Sequence, residues 1–177
     1  MLEVYNGVPF EKPKYRINHI GIDPGKNGAI SVMDTYGNVL VSPFDEKRYL
    51  EIVGHLCSGI PETIAVVEDV HAMPKQGVTS MFNFGYNKGW IVGLLKAYGC
   101  QVLLVSPQKW KKYFGLDGDK KKSIALAHKL FPTVNLFATP RCRKEHDGIA
   151  ESLLMMEFGR REMDRIVSEC KNIISHT

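Results

Sequence analysis

The first hundred residues are organised as short apolar segments that end at turn residues or at a carboxylate. Ile17 to Ile22, Ala29 to Asp34 and Val39 to Ser42 are separated by Pro-Gly and Gly-Asn turns, which is typical of an antiparallel meander. Two further apolar strands follow, Thr63 to Glu68 and Gln101 to Val105, and helical segments separate them from the meander and from each other. A meander followed by alternating strands and helices predicts one α/β domain built on a mixed sheet.

Helical patterns account for most of the remaining chain. We expect helices near Asp45–Cys57, Thr79–Tyr98, Gln108–Phe114 and Lys120–Leu130, and a last one that starts near His146, with Gly159 as its candidate break point. Residues 1–15 are polar and aperiodic, which predicts an extended arm. We therefore expect an N-terminal extension (1–16), one domain (17–158) and a C-terminal helical extension (159–177).

Composition excludes several classes of protein. No stretch approaches the ~18 consecutive apolar residues of a membrane helix, and the first 25 residues do not have the pattern of a secretory signal. The four cysteines stand far apart without a CxxC pair, which argues against a zinc site and a disulfide framework. No Walker-type phosphate loop is present either. We expect a cytoplasmic protein that does not associate with a membrane.

Positive charge is concentrated between Ser106 and Lys129, where seven lysines face two aspartates, although the whole chain carries only +4. Three aromatic residues, Trp110, Tyr113 and Phe114, lie among the lysines. This combination is typical of a surface that binds a phosphate backbone. A solvated helix face would have a similar composition.

Two carboxylates stand where apolar strands end. Asp23 ends the first strand, directly after Ile22, and Glu68 ends the fourth, directly after Val67. A side chain in this position leaves the core at the rim of the sheet. Two carboxylates at one rim repel each other, and each raises the pKa of the other unless a cation lies between them. Asp23 could alternatively be an ordinary turn former, because a Pro-Gly pair follows it.

A third and a fourth acid occur in the last helix. Asp147 and Glu151 are four residues apart and therefore share a helix face. Four oxygen donors suit hard cations such as Mg²⁺ or Mn²⁺, and two such ions ~3.5–4 Å apart can drive phosphodiester hydrolysis. Alternatively, Asp147 could be a helix N-cap and Glu151 an exposed helical glutamate, while His146 could touch the metal or lie at the surface.

Four motifs in this order resemble the RuvC-type Holliday junction resolvases, most closely the phage and prophage versions. They are "HIGIDPGKNGAISVMD", "TIAVVEDV", "SPQKWKKYFGLDGDKKKSI" and "KEHDGIAESLLM", and together the resemblance covers roughly residues 17 to 158. It implies an RNase H-like fold, with a mixed five-stranded sheet and helices on both faces. It also implies a bacterial host cell, divalent-metal dependence (Mg²⁺, with Mn²⁺ as a substitute) and a homodimer.

The resemblance also assigns roles to the acids. Asp23 and Glu68 match the first two metal ligands of the family, and Asp147 falls in its late acidic motif. RuvC itself has Asp-x-x-Asp there, whereas this chain has Asp147-x-x-x-Glu151. Glu151 is our preferred fourth ligand, and His146 is the alternative. All four acids are expected to be catalytic metal ligands.

The DNA-contacting residues follow from the same comparison. Lys111 and Lys122 are eleven residues apart, as are the two DNA-contacting lysines of the family. Three neighbouring lysines are expected to join them on the DNA backbone: Lys109, Lys112 and Lys121. The family places an apolar wedge for the junction crossover after the second acid, and here the candidates are His71 and Met73.

The expected function is cleavage of four-way and other branched DNA by two-metal-ion phosphodiester hydrolysis. Three alternatives remain: a broader debranching nuclease, another RNase H-like nuclease acting on DNA or RNA, and a junction-binding protein without catalysis. The last of these is disfavoured because the set of acids is complete.

Two stripes of residues on the long helix could form the interface of the expected homodimer. Gly85, Gly89, Gly93 and Ala97 recur every four residues, beside an apolar stripe of Phe82, Tyr86, Trp90 and Leu94. Glycine costs a helix ~1 kcal/mol relative to alanine, so this face is expected to be approached closely. The approaching surface is either the protein's own sheet or a second copy.

Overall fold

The computed structural model describes residues 16–57, 62–70 and 77–174, with residues 167–174 described by their backbone alone. The N-terminal arm and the wedge candidates His71 and Met73 lie outside the described residues. The strands are β1 (Ile17–Asp23), β2 (Ala29–Met33), β3 (Val39–Pro43), β4 (Glu62–Glu68) and β5 (Gln101–Val105). The helices are α1 (Glu46–Cys57), α2 (Val78–Ala97), α3 (Pro107–Tyr113), α4 (Lys120–Leu130) and α5 (Asp147–Ile174).

The five strands form one sheet in the order β3-β2-β1-β4-β5. β1 and β3 pair antiparallel with β2, whereas β1, β4 and β5 run parallel. The predicted meander and mixed sheet are therefore confirmed. Parallel strands bring their carboxyl ends to the same edge, so β1 and β4 end side by side.

Helices cover both faces of the sheet, as expected. Successive side chains of a strand point to opposite faces. Ile20 and Ile22 of β1 are fully buried with α1 and α2 on one face. On the other face α4 and α5 pack over Ala29, Met33 and Val39. None of the helices in the described part of the chain is long and apolar enough to cross a bilayer.

Glycine at position 21 lets α5 lie directly on the sheet. A Cβ added to Gly21 would lie 2.1 Å from the carbonyl oxygen of Ser152. The hydroxyl of Ser152 is also 2.6 Å from that of Ser31 on β2. These contacts fix α5 over β1 and β2, with its first turns at the end of β1 that carries Asp23.

The break considered at Gly159 is wrong, because α5 runs without interruption from Asp147 to Ile174. The glycine has a packing role instead. A Cβ at Gly159 would lie 2.7 Å from Cγ2 of Val66. Glycine is therefore needed here for close approach to β4, and its cost to the helix is offset by that contact.

Two of the cysteines that stand far apart in sequence meet in the fold. The sulfur atoms of Cys57, at the end of α1, and Cys100, just before β5, are 3.3 Å apart. Both are free thiols. The spacing of cysteines along the chain did not reveal this contact, because it depends on how α1 packs beside β5.

The outer face of α2 is open. A Cβ at Gly85, Gly89 or Gly93 would meet nothing within 4 Å, so the protein's own sheet does not lie against this stripe. The apolar stripe is exposed at one end and packed against the core at the other. Phe82 is 73% exposed, whereas Trp90 packs against the core beside Phe44.

Candidate metal centre and nucleic-acid interface

Asp23 and Glu68 are neighbours at the carboxyl ends of two central parallel strands. Ile22 of β1 lies opposite Val67 of β4, so the next residue on each strand is one of these acids. The predicted meeting of the two carboxylates at one rim thus follows from the register of the sheet.

The turn after β1 holds Asp23 in place. The backbone N–H of Gly25 donates to Oδ1 of Asp23 at 2.9 Å. A Cβ at Gly28 would lie only 1.9 Å from the carbonyl oxygen of Asp23, so the chain folds back tightly on itself. One carboxylate oxygen of Asp23 is therefore oriented by the turn, while Oδ2 makes no hydrogen bond within the described part of the chain.

Glu68 is oriented by a buried tryptophan. The indole Nε1 of Trp110 donates to Oε1 of Glu68 at 3.0 Å. Trp110, on α3, is fully buried against α5 and the sheet, and Glu68 is 7% exposed. Trp110 was grouped in sequence with aromatic residues on a DNA-binding surface, but it belongs to the core and positions a carboxylate.

The start of α5 brings the other two acids to the same place. His146 precedes the helix, and its Nδ1 accepts a hydrogen bond of 3.2 Å from the N–H of Ile149. A Cβ at Gly148 would lie 2.3 Å from the carbonyl oxygen of Asn27. Hence α5 begins directly on the turn after β1, and Asp147 and Glu151 face the end of the sheet. His146 acts here as a helix cap.

Two lysines neutralise the acids of α5. The ammonium group of Lys111 lies 3.0 Å from Oε1 of Glu151. Lys120 at the start of α4 forms an ion pair with Asp147. Glu151 is therefore not an exposed helical glutamate: it is 7% exposed and paired. Asp23 and Glu68 have no such cation pair in the described part of the chain.

The pKa values reflect this uneven neutralisation. Burial, with smaller contributions from the charges of Glu151 and Asp147, raises the pKa of Asp23 to about 6, although the Gly25 N–H and Lys120 act in the opposite direction. Burial and the charge of Asp23 raise the pKa of Glu68 to about 7. Burial also acts on Asp147, but the hydrogen bond and charge of Lys120 outweigh it and lower its pKa. Asp23 and Glu68, at the strand ends, are therefore less well neutralised than the two acids of α5.

The donor set fits a hard divalent cation. All four predicted acids lie at one end of the sheet, and their charges act on one another. Among the described residues, however, no three acid, histidine or cysteine side chains converge closely enough to hold a metal ion. Lys111 and Lys120 form ion pairs with two of the four carboxylates, Glu151 and Asp147.

The predicted DNA-contacting lysines differ in their surroundings. Three are exposed and form no ion pair with a described residue: Lys109, Lys112 and Lys121. Lys122 pairs with Asp117 at the surface. Lys111 is partly buried against Glu151. Sequence reasoning did not place Lys120 at the acids, because its pairing with Asp147 joins residues 27 positions apart.

An open cleft lies beside the acids. It has a volume of about 810 Å³ and is lined by Lys26 from the turn after β1, Val70 after β4 and the first turns of α2, including Lys88. Lys88 forms an ion pair with Asp69, which follows Glu68. The cleft runs along the N-terminal half of α2, and Lys26 and Val70, which follow the strands that carry Asp23 and Glu68, line one end of it.

No protein-family model and no curated protein matches the chain in sequence. Solved structures do match its fold. RuvC of T. thermophilus in complex with a Holliday junction substrate has a TM-score of 0.55 at 14% identity, over 79% of this chain and 90% of that one. A second Thermus thermophilus RuvC structure has a TM-score of 0.53 at 16% identity, over 82% and 96%. The yeast mitochondrial Holliday junction resolvase has a TM-score of 0.50 at 14% identity, over 93% and 87%. The resemblance seen in the motifs is therefore confirmed at the level of the fold: the chain has the RNase H-like fold of RuvC.

Proposed function

We propose that this protein is a divalent-metal-dependent endonuclease that cuts four-way junctions and other branched DNA. One observation carries the proposal: four carboxylates from two strand ends and one helix lie at the same end of the sheet, and two of them form no ion pair with a described residue. Buried carboxylates with raised pKa values destabilise a fold. A bound cation would remove that cost and account for the arrangement.

In this proposal Asp23, Glu68, Asp147 and Glu151 would hold a pair of Mg²⁺ ions, which Mn²⁺ could replace. Such ions activate a water molecule and stabilise the leaving oxygen of a phosphodiester. The protein orients the ligands. The Trp110 indole fixes one oxygen of Glu68, and the Gly25 N–H fixes one oxygen of Asp23. The other carboxylate oxygen of each residue would be left to bind the cation.

The lysines exchange partners when substrate binds. Lys111 and Lys120 neutralise Glu151 and Asp147 in the free protein. If a cation binds these carboxylates, the two ammonium groups would be free to bind DNA phosphates. Lys122 loses little by leaving Asp117, because exposed ion pairs contribute only ~0–1 kcal/mol. Lys109, Lys112 and Lys121 extend the same phosphate-binding surface along α3 and α4.

The proposed substrate has two-fold symmetry, which favours a homodimer. The solved structures of similar fold are described as a RuvC with a Holliday junction substrate and as a Holliday junction resolvase. Resolving a four-way junction takes two symmetric cuts, which an isologous dimer supplies with two identical sites. The open glycine stripe of α2, with Phe82 and Tyr86 exposed beside it, is the surface we propose for the dimer.

Incubation with labelled four-way junction, Y-fork, linear duplex and an RNA–DNA hybrid, with Mg²⁺ or with EDTA, tests the proposal. We expect Mg²⁺-dependent cuts at the branch point of the junction and little cutting of the duplex. Equal cutting of the fork and junction would indicate a broader debranching nuclease, and cutting of the hybrid would indicate another RNase H-like activity. Binding without cutting in Mg²⁺ or Mn²⁺ would identify a junction-binding protein.

A further inference from the structure

Three exposed cations stand in the loop that leads into α5. Arg141, Arg143 and Lys144 are all exposed, and none forms an ion pair with a residue in the described part of the chain. Glu145, the one carboxylate within residues 139–146, pairs with His128. The loop therefore presents positive charge that is not neutralised locally.

Hydrogen bonds hold this loop in a defined conformation. The N–H of Cys142 donates to the carbonyl of Thr139 at 3.0 Å, and the N–H of His146 donates to the carbonyl of Leu136 at 2.8 Å. The cap made by His146 then joins the loop to α5. The three cations are thus attached to an ordered backbone, which reduces the entropy lost when they bind a partner.

The loop lies on the opposite side of the acids from Lys111. Residues 138–140 line a cleft with Val41 and Pro43 of β3, and β3 is one edge of the sheet. Lys111 stands on α3, which follows β5 at the other edge. β1 and β4, which carry Asp23 and Glu68, lie between these edges.

We propose that Arg141, Arg143 and Lys144 form a second phosphate-binding surface, which holds the DNA backbone on the β3 side of the acids. Arginine suits this role because its planar guanidinium can bind a phosphate through two hydrogen bonds. Lys111, Lys120 and Lys122 must each leave a carboxylate before they bind DNA, whereas the three loop cations form no ion pair with any described residue. The inference rests on the proposed function, because it concerns the same branched DNA.

Charge-neutral variants test the loop. The triple variant Arg141→Gln, Arg143→Gln, Lys144→Gln is compared with Arg16→Gln, Lys96→Gln, Arg165→Gln. The control removes the same charge from exposed residues just before β1, at the end of α2 and in the later part of α5, all away from the acids. Binding to a four-way junction is measured in Ca²⁺ across a series of salt concentrations, and the DNA is checked by gel afterwards to show that it was not cut.

The slope of log K against log salt should decrease by ~0.9 for each cation that contacts a phosphate. For the loop variant we expect a decrease of about 2 to 3 and an affinity at least about fivefold lower at 0.1 M salt. The control should keep nearly the wild-type slope. A loop variant whose slope and affinity equal those of the control would overturn the inference.

Cys142 offers an independent measurement, because its exposed thiol lies between Arg141 and Arg143. A thiol-linked photo-crosslinker on the wild-type chain should join it to junction DNA beside the branch point. The same treatment of Cys142→Ser reports any labelling at other cysteines. Absence of a Cys142-dependent crosslink to bound DNA would also contradict the inference.

Different results would contradict the second phosphate-binding surface and the proposed function. If the wild type binds and cuts junctions but the loop variant is indistinguishable from the control, only the second surface is wrong. If the wild type neither binds nor cuts branched DNA at low salt, the proposed function and the inference are both wrong.

Discussion

The ammonium group of Lys111 lies 3.0 Å from the carboxylate of Glu151, so a lysine expected to bind DNA and an acid expected to bind metal neutralise each other. The pair is partly buried, with side-chain exposures of 20% and 10%. Cation binding at Glu151 would release Lys111 for a phosphate. If both residues have the proposed roles, this contact would couple metal binding to DNA binding.

Removing Lys111 should raise the affinity for Mg²⁺ and lower the affinity for DNA. Lys111→Ala frees Glu151, and the loss of an ion pair of ~1 kcal/mol should raise the Mg²⁺ affinity of the DNA-free protein about fivefold. Calorimetric titration measures this, with Lys112→Ala as the control because Lys112 is exposed and forms no ion pair with a described residue. An unchanged Mg²⁺ affinity in Lys111→Ala would show that the pair does not compete with metal.

Lysine variants should also weaken binding to every branched substrate. Lys111→Ala and Lys122→Ala should each reduce the slope of log K against log salt by ~0.9 on duplex arms. Fluorescence anisotropy with a labelled junction across a salt series gives the slopes. If neither slope changes, the lysine-rich stretch is a solvated surface and does not contact DNA.

Neutralising a strand-end acid should stabilise the metal-free protein above neutral pH. The pKa rises from 3.8 to about 6 for Asp23 and from 4.5 to about 7 for Glu68 on folding. The folded state therefore binds more protons between these values, and the free energy of unfolding falls as pH rises from about 4 to about 7.

Asp23→Asn and Glu68→Gln remove this cost and keep an oxygen for the Gly25 and Trp110 hydrogen bonds. We expect each variant to gain on the order of 1–3 kcal/mol at pH 8 in EDTA, with a Tm increase of roughly 2–4 °C per kcal/mol. Mg²⁺ should raise the Tm of the wild type but not of the variants. The exposed acid variant Glu46→Gln serves as the control, and a wild type that Mg²⁺ does not stabilise would contradict the account.

The positions of Asp23 and Glu68 could be predicted because each follows an apolar strand, and strand ends are local properties of a sequence. The ion pairs of Lys111 and Lys120 could not, since they depend on how α3 and α4 pack beside α5. The hydrogen bond from Trp110 to Glu68 has the same origin. A tryptophan among lysines gives no local sign that it is buried.

The glycines also include positions whose role could be predicted from the sequence and positions whose role could not. Gly21 and Gly159 both lie under a close contact between α5 and the sheet. For Gly159 the local pattern suggested a helix break, because a glycine that permits close packing and one that ends a helix look alike in sequence. The stripe on α2 could be recognised from its period, but the period did not say which surface it faces.

Variants on the outer face of α2 test the proposed dimer surface. Gly89→Leu adds a side chain where a Cβ meets nothing within 4 Å, so it should leave the monomer folded and weaken the dimer. Tyr86→Ala, at a position 56% exposed, should act similarly. Trp90→Ala is unsuitable as a dimer test because Trp90 packs against Phe44 and Tyr49. Sedimentation at micromolar concentration measures the outcome, and a wild type that stays monomeric even with junction DNA would contradict the dimer.

The most direct test of the account is single-turnover cleavage of a labelled four-way junction in Mg²⁺ by the wild type, Asp23→Asn and Glu68→Gln, with junction affinity measured in parallel. If these acids hold the cation, both variants should bind the junction about as tightly as the wild type, and each should cut it at less than about a tenth of the wild-type rate, a barrier increase above roughly 1.4 kcal/mol. A folded variant that cuts at more than about a tenth of the wild-type rate would show that its acid is not a metal ligand, and would contradict the central claim.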